Sequence, residues 1–142
     1  MSMKIATPFV PISWGELLDK ITILEIKELQ ISSFVAKENI KKELKYLLEI
    51  AKLDKLPKEV ELLKSELHKV NLKLWVVEDQ IRNKELVNEF DEIFIELARS
   101  VYKLNDLRAK TKKTINLILA SELVEEKSYK NFELQDNSEE KK

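Results

Sequence analysis

The stretch "SWGELLDKITILEIKELQI", residues 13–31, decides the fold. Ser13 followed three residues later by Glu16 has the spacing of a capping box placed directly before an apolar run, so a helix starts at Trp14. Leu17, Leu18, Ile21, Leu24 and Ile31 then share one helical stripe, while Ile23 and Ile26 lie on another side. A helix apolar on two sides is buried between neighbours. This helix is therefore read as central, and the rest of the chain has to supply the helices around it.

Downstream, "SSFVAKEN" (32–39) reads as a turn, and a second helix over 38–53 carries Ile40, Leu44, Leu47, Leu48 and Ala51. Asp54 offers a cap and Pro57 suits a first helical turn. A third helix over 57–86 follows, with Val60, Leu63, Leu67, Val70, Leu74, Val77 and Ile81 in line. "VNEFDE" (87–92) has neither Gly nor Pro. Asn88 or Asp91 would cap a break there, and one uninterrupted helix is the alternative. A fourth helix over 90–120 aligns Phe90, Ile93, Leu97, Val101, Leu104, Ile115 and Leu119. Upstream, residues 1–12 contain Pro8 and Pro11 and read as an extended arm laid on the body. Residues 130–142 are polar and charged and read as a disordered tail. The expected architecture is all-α: one domain over 1–129, an antiparallel bundle of two short and two long helices.

Composition agrees. A chain of 142 residues holds one domain with a real core, and a single Gly with three Pro leaves little turn chemistry for sheets. With a net charge of −1 there is no overall field to draw nucleic acid or an acidic membrane. The basic run "RAKTKK" (108–113) does not change this, because half of it falls on the apolar stripe. The absence of cysteine excludes disulfides, thiolate nucleophiles and Cys-bound zinc. No signal-like or membrane-length apolar run occurs, so the expected location is the cytoplasm, with no membrane partner.

Helix lengths carry a further expectation. Two helices of about 30 residues span about 45 Å, and two of about 18 residues span about 27 Å. The short pair covers only the lower part of the long pair. An upper two-helix arm, from Val77 to Ile93 with the facing Phe94 and Leu97, is left without cover. A homodimer through the long helices is the simplest cover.

Charged residues on or beside the stripes form two levels. The lower level gathers Glu25, Glu28, Asn71, Asn105, Arg108 and Lys112, with Arg108 expected to reach a carboxylate on the first helix. The upper level gathers Trp75, Glu78, Asp79, Arg82 and Glu85, with Glu78 and Arg82 at i, i+4 spacing. Arg108 has two readings. It is half of a buried ion pair that fixes which helix faces which, or it clamps a carboxylate or phosphate in an inter-helix pocket with help from Arg82 and Lys112. Glu25, Glu28 or Glu78 would then serve as acid or base. Metal chemistry finds little support. The one histidine, His68, has no Glu three residues before it, and Glu25-Ile-Lys-Glu28 lacks the later Glu-x-x-Asp that helical Mg²⁺ pyrophosphatases pair with such a motif. No metal and no cofactor are expected. Serine-triad catalysis is not expected, because the chain has a single histidine, no strand-turn-helix nucleophile elbow and no Gly-rich phosphate loop.

Four stretches, "PISWGELLDKITILEIK", "LHKVNLKLWVVEDQIRNKE", "FDEIFIELARSVYKLNDLRAKTKKTIN" and "ELVEEKSY", together resemble a family of small, helical bacterial proteins, a domain of unknown function. The resemblance spans 8–129 and implies one helical domain ending near Tyr129, without implying a reaction. Its richest segments hold Glu16, Asp19, Lys20, Trp75, Glu78, Asp79, Arg82, Tyr102, Asn105, Asp106 and Arg108. So many polar and aromatic residues exceed what packing alone requires. That favours a ligand site without identifying a ligand. The uncovered arm nevertheless makes a helical interaction protein, acting as a homo-oligomer with a charged network inside the bundle, the first reading. A binding protein or enzyme for a small anionic metabolite is the alternative.

Overall fold

The computed structural model describes residues 3–128 and contains four helices: α1 (Trp14–Gln30), α2 (Phe34–Ala51), α3 (Lys58–Leu86) and α4 (Glu92–Ile118). No strand forms among the described residues, so the all-α reading holds. The anticipated tail, 130–142, lies outside the described residues.

α1 is the hub. It packs on all three other helices, and α3 and α4 form the most extensive pair. α2 packs chiefly on α1, so the bundle is a three-helix core with α2 laid along the outer side of its central member. Leu17, Leu18, Ile21 and Leu24 of α1 meet Ile40, Leu44 and Ala51 of α2, Val60 and Leu67 of α3, and Ile115 of α4 in one buried cluster. Fully burying side chains of this size stabilises by roughly 1.5–3 kcal/mol each.

Helix ends follow local chemistry. Ser13 Oγ accepts from Glu16 N at 3.2 Å, as the capping spacing predicts, but the Glu16 carboxylate turns away to Lys112 instead of closing the box. The second helix begins earlier than expected. Ser33 Oγ accepts from Ala36 N at 3.3 Å, which starts α2 at Phe34 and shortens the turn. Asp54 caps nothing and sits in a single 3₁₀ turn, Leu53–Lys55, while Pro57 takes the N-cap position of α3.

The long helices are separate. Asn88 adopts φ 56°, a left-handed conformation that Asn tolerates well. Asn88 N donates to Glu85 O and Glu89 N to Lys84 O, a Schellman-type stop. Asp91 then caps α4 by accepting from Phe94 N at 3.0 Å. Both proposed caps are used, one to end α3 and one to start α4.

The N-terminal segment does not lie on the body. Met3, Ile5, Phe9 and Val10 are each more than three-quarters exposed. Its prolines keep it extended, and no groove of the helical body takes its side chains.

Candidate functional site

A polar seam runs between α1, α3 and α4. It starts at Gly15, the only glycine of the chain. A Cβ at this position would stand 2.5 Å from the backbone oxygen of Lys112, so α1 and α4 approach as closely as backbones can. Two N–H groups of the first turn of α1 are satisfied across this contact. Gly15 N donates to Asn116 Oδ1 at 2.7 Å, and Trp14 N to Ser121 Oγ at 3.2 Å. Such donors have no partner within the helix itself.

One turn further along, Asp19 is completely buried. Arg108 grips it in a two-point fork, Nε to Oδ1 at 2.9 Å and Nη2 to Oδ2. Asn71 Nδ2 donates to the same Oδ1 at 2.8 Å and to Thr22 Oγ1 at 2.9 Å, and Thr22 donates in turn to the Asp19 carbonyl at 2.7 Å. All three helices are thereby tied to one carboxylate. The hydrogen bond to Asp19 holds the Arg108 guanidinium above its ordinary pKa, against the opposing effect of burial.

Lys112, also buried, lies beside this group with its Nζ 3.9 Å from Asp19 Oδ2. It donates to Glu16 at 2.6 Å and to Glu125 at 2.8 Å. Burial alone would lower the Lys112 ammonium, but the hydrogen bonds to Glu125 and Glu16 outweigh it and raise it. Glu125 is pulled down to about 2, first by Lys112 and then by Lys127. Among the described residues, no buried side-chain nitrogen or oxygen lacks a partner. The seam is a closed network, the arrangement in which buried polar groups fix a unique packing.

The structure brings Asn71, Arg108 and Lys112 together and leaves the other members of the lower level outside. Arg108 does reach α1, but its partner is Asp19 and not Glu25 or Glu28. Because Gly15 lies against Lys112 and Asn116, α4 runs on past the start of α1, and Arg108 comes level with Asp19. Asp19 and Glu25 are also six residues apart, which turns them about 120° from each other on the helix. Glu25 pairs instead with Lys64 of α3 at 2.9 Å. Glu28 lines a shallow surface depression with Lys41, Leu44, Lys45, Leu48 and Glu49. Asn105 is exposed.

The upper level is not a cluster. Trp75 is half-buried, Glu78 and Glu85 are exposed, and Arg82 meets Asp79 at 3.9 Å in place of Glu78. A pair this exposed contributes at most about 1 kcal/mol. Sequence reasoning did not assign Glu16, Asp19, Thr22, Asn116, Ser121 or Glu125 to a site. A signal existed for α1: Gly15, Asp19, Thr22 and Ile26 recur at i, i+4, i+7 and i+11, and all four are buried. No spacing rule would have found Glu125, which returns from beyond the end of α4.

Glu16, Asp19 and Arg108 of this seam are among the residues in which the family resemblance is richest. A family of unknown function (DUF6165) matches residues 9–138, nearly the whole chain. The chain belongs to that family. No curated protein and no solved structure matches it. The family match therefore adds no reaction to the geometry. Among the described residues there is no group of His, Cys, Asp and Glu able to hold a metal ion, and no helix long and apolar enough to cross a membrane.

Proposed function

We propose that this DUF6165 member is a helical interaction protein that self-associates through its long helices, with the Asp19–Arg108 seam holding the body rigid behind the contact surface. The observation that carries this reading is the state of the α3–α4 arm. Beyond the reach of α1, Leu86, Val87, Phe90 and Ile93 are between 55% and 80% exposed. They sit on a tip braced by Lys84, which bonds Glu89 at 3.0 Å and Asp91 at 2.8 Å, and by an edge-to-face contact of Phe90 with Phe94. Apolar side chains presented on a braced frame are a typical contact surface, because little order has to be gained on binding.

The alternative, an anion site built on Arg108, is the weaker reading. The fork that would clamp a ligand carboxylate already holds Asp19. Sedimentation equilibrium on the wild type and on Ile93→Ser/Leu107→Ser tests the proposal. Both residues are about half exposed or more, so the variant should fold. The expected result is a micromolar dimer that the double substitution dissociates. A wild-type monomer at 100-fold higher concentration, or a dimer indifferent to the substitutions, would overturn it.

A further inference from the structure

Charge along α4 is segregated. Residues 89–96 contain four carboxylates and no Lys or Arg, whereas residues 99–113 contain six Lys or Arg and a single carboxylate, Asp106. Arg108 and Lys112 turn inward to the seam. The outer face is left with Glu92 and Glu96 near its start and with Arg99, Lys103 and Lys110 further on, all exposed. Glu96, Lys103, Lys110 and Leu117 recur every seven residues and so share one face. Ile93, Leu107 and Leu117 lie on or beside that face at 60%, 48% and 69% exposure. The helix dipole favours an acid in the first turn, which accounts for Glu92, but it fades within a turn and does not account for Lys103.

Such a face is self-complementary in one sense only. Two copies lying side by side in parallel would set acid on acid and base on base. Reversed about a twofold axis, each acidic end meets a basic end, twice per dimer. A partner of one sign would satisfy only half of the face. We infer that a second copy of this chain docks antiparallel along the outer face of α4, Glu92 and Glu96 of each protomer facing Lys103 and Lys110 of the other. Ile93 and Leu107 fill the contact between them. This rests on the self-association proposed above and specifies its register.

Two measurements on the full chain test it. The chain has no cysteine, so a spin label on Val87→Cys reports on one site per protomer. In the antiparallel dimer the two tips point apart, and the label separation is roughly 30 Å or more, from the 1.5 Å rise over about ten residues on either side of the axis. Charge reversal is the second measurement. Lys103→Glu/Lys110→Glu and Glu92→Lys/Glu96→Lys should each weaken the homodimer at least about tenfold, and mixing the two should restore association. Tips closer than about 20 Å in an intact dimer would overturn the register and leave self-association standing. Reversals without effect on dimer affinity would overturn the charge pairing. A monomeric wild type would overturn both readings together.

Discussion

The body and the arm of this protein use polar residues in opposite ways. In the body, polar contacts join distant parts of the chain: Arg108 to Asp19 across 89 residues, Asn71 to Asp19 across 52, and Lys112 to Glu16 across 96. They are buried or part-buried and mutually satisfied. In the arm, contacts are local: Asp79 with Arg82, Glu96 with Arg99, and Lys84 with Glu89 and Asp91 across five and seven residues. They are mostly solvated, and apolar side chains stand exposed among them. The difference follows from length. α1 has 17 residues against 29 in α3, about 25 Å against 43 Å, so only the lower part of the long pair has a third helix to bury against. Where α1 reaches, a buried carboxylate must find partners. Where it ends, the pair of helices is a surface.

The contrast breaks hardest at Arg108. Arg108→Ala leaves the buried Asp19 side chain with Asn71 as its one remaining close donor, and should cost about 3–5 kcal/mol in chemical denaturation. Asp19→Leu with Arg108→Met removes both charges and should be near neutral or stabilising. A large loss in that double variant would mean that the seam does more than balance its own charges. Next in size is Gly15→Ala. Its methyl would press on a backbone oxygen that cannot swing aside, which should cost about 1–3 kcal/mol in the same assay. Asn71→Ala should follow at about 1–3 kcal/mol, with Thr22 and one oxygen of Asp19 losing a donor.

A smaller effect comes from Glu125. Its folded pKa, about 2, lies below its ordinary 4.5, so the stability it contributes is complete above pH 4.5 and is lost as pH falls toward 2. Urea midpoints measured between pH 6 and pH 2.5 should therefore fall less in Glu125→Gln than in the wild type. Smallest of all is the expected effect of Lys84→Met. Its ammonium braces the tip through Glu89 and Asp91. Global unfolding should hardly change, while hydrogen exchange over 86–92 accelerates.

How much of this was legible in the sequence depended on distance along the chain. Local signals carried well. The Ser13 cap, the central place of α1 and the caps at Asn88 and Asp91 follow from neighbouring residues whose chemistry is short-ranged. The direction of Arg108 was legible too, because an arginine on an apolar stripe must face another helix. Its partner was not. Choosing Asp19 over Glu25 requires the vertical offset of α1 against α4, and that offset is set by the close approach at Gly15, a contact between residues about 100 apart. Asp19 was also hidden by being polar on a buried face, where a count of apolar residues passes over it. The one glycine in a first helical turn was the available clue, since its missing side chain marks where another backbone comes near.

Hydrogen exchange on the full chain at low and at high protein concentration tests the division into a closed body and an open arm most directly. Amides of α1 and of α4 from 108 to 116 should be strongly protected at both concentrations. Those of the arm's α4 segment, 92–104, should gain protection as concentration rises. Arm protection that is the same at both concentrations, with the protein monomeric throughout, would contradict the account.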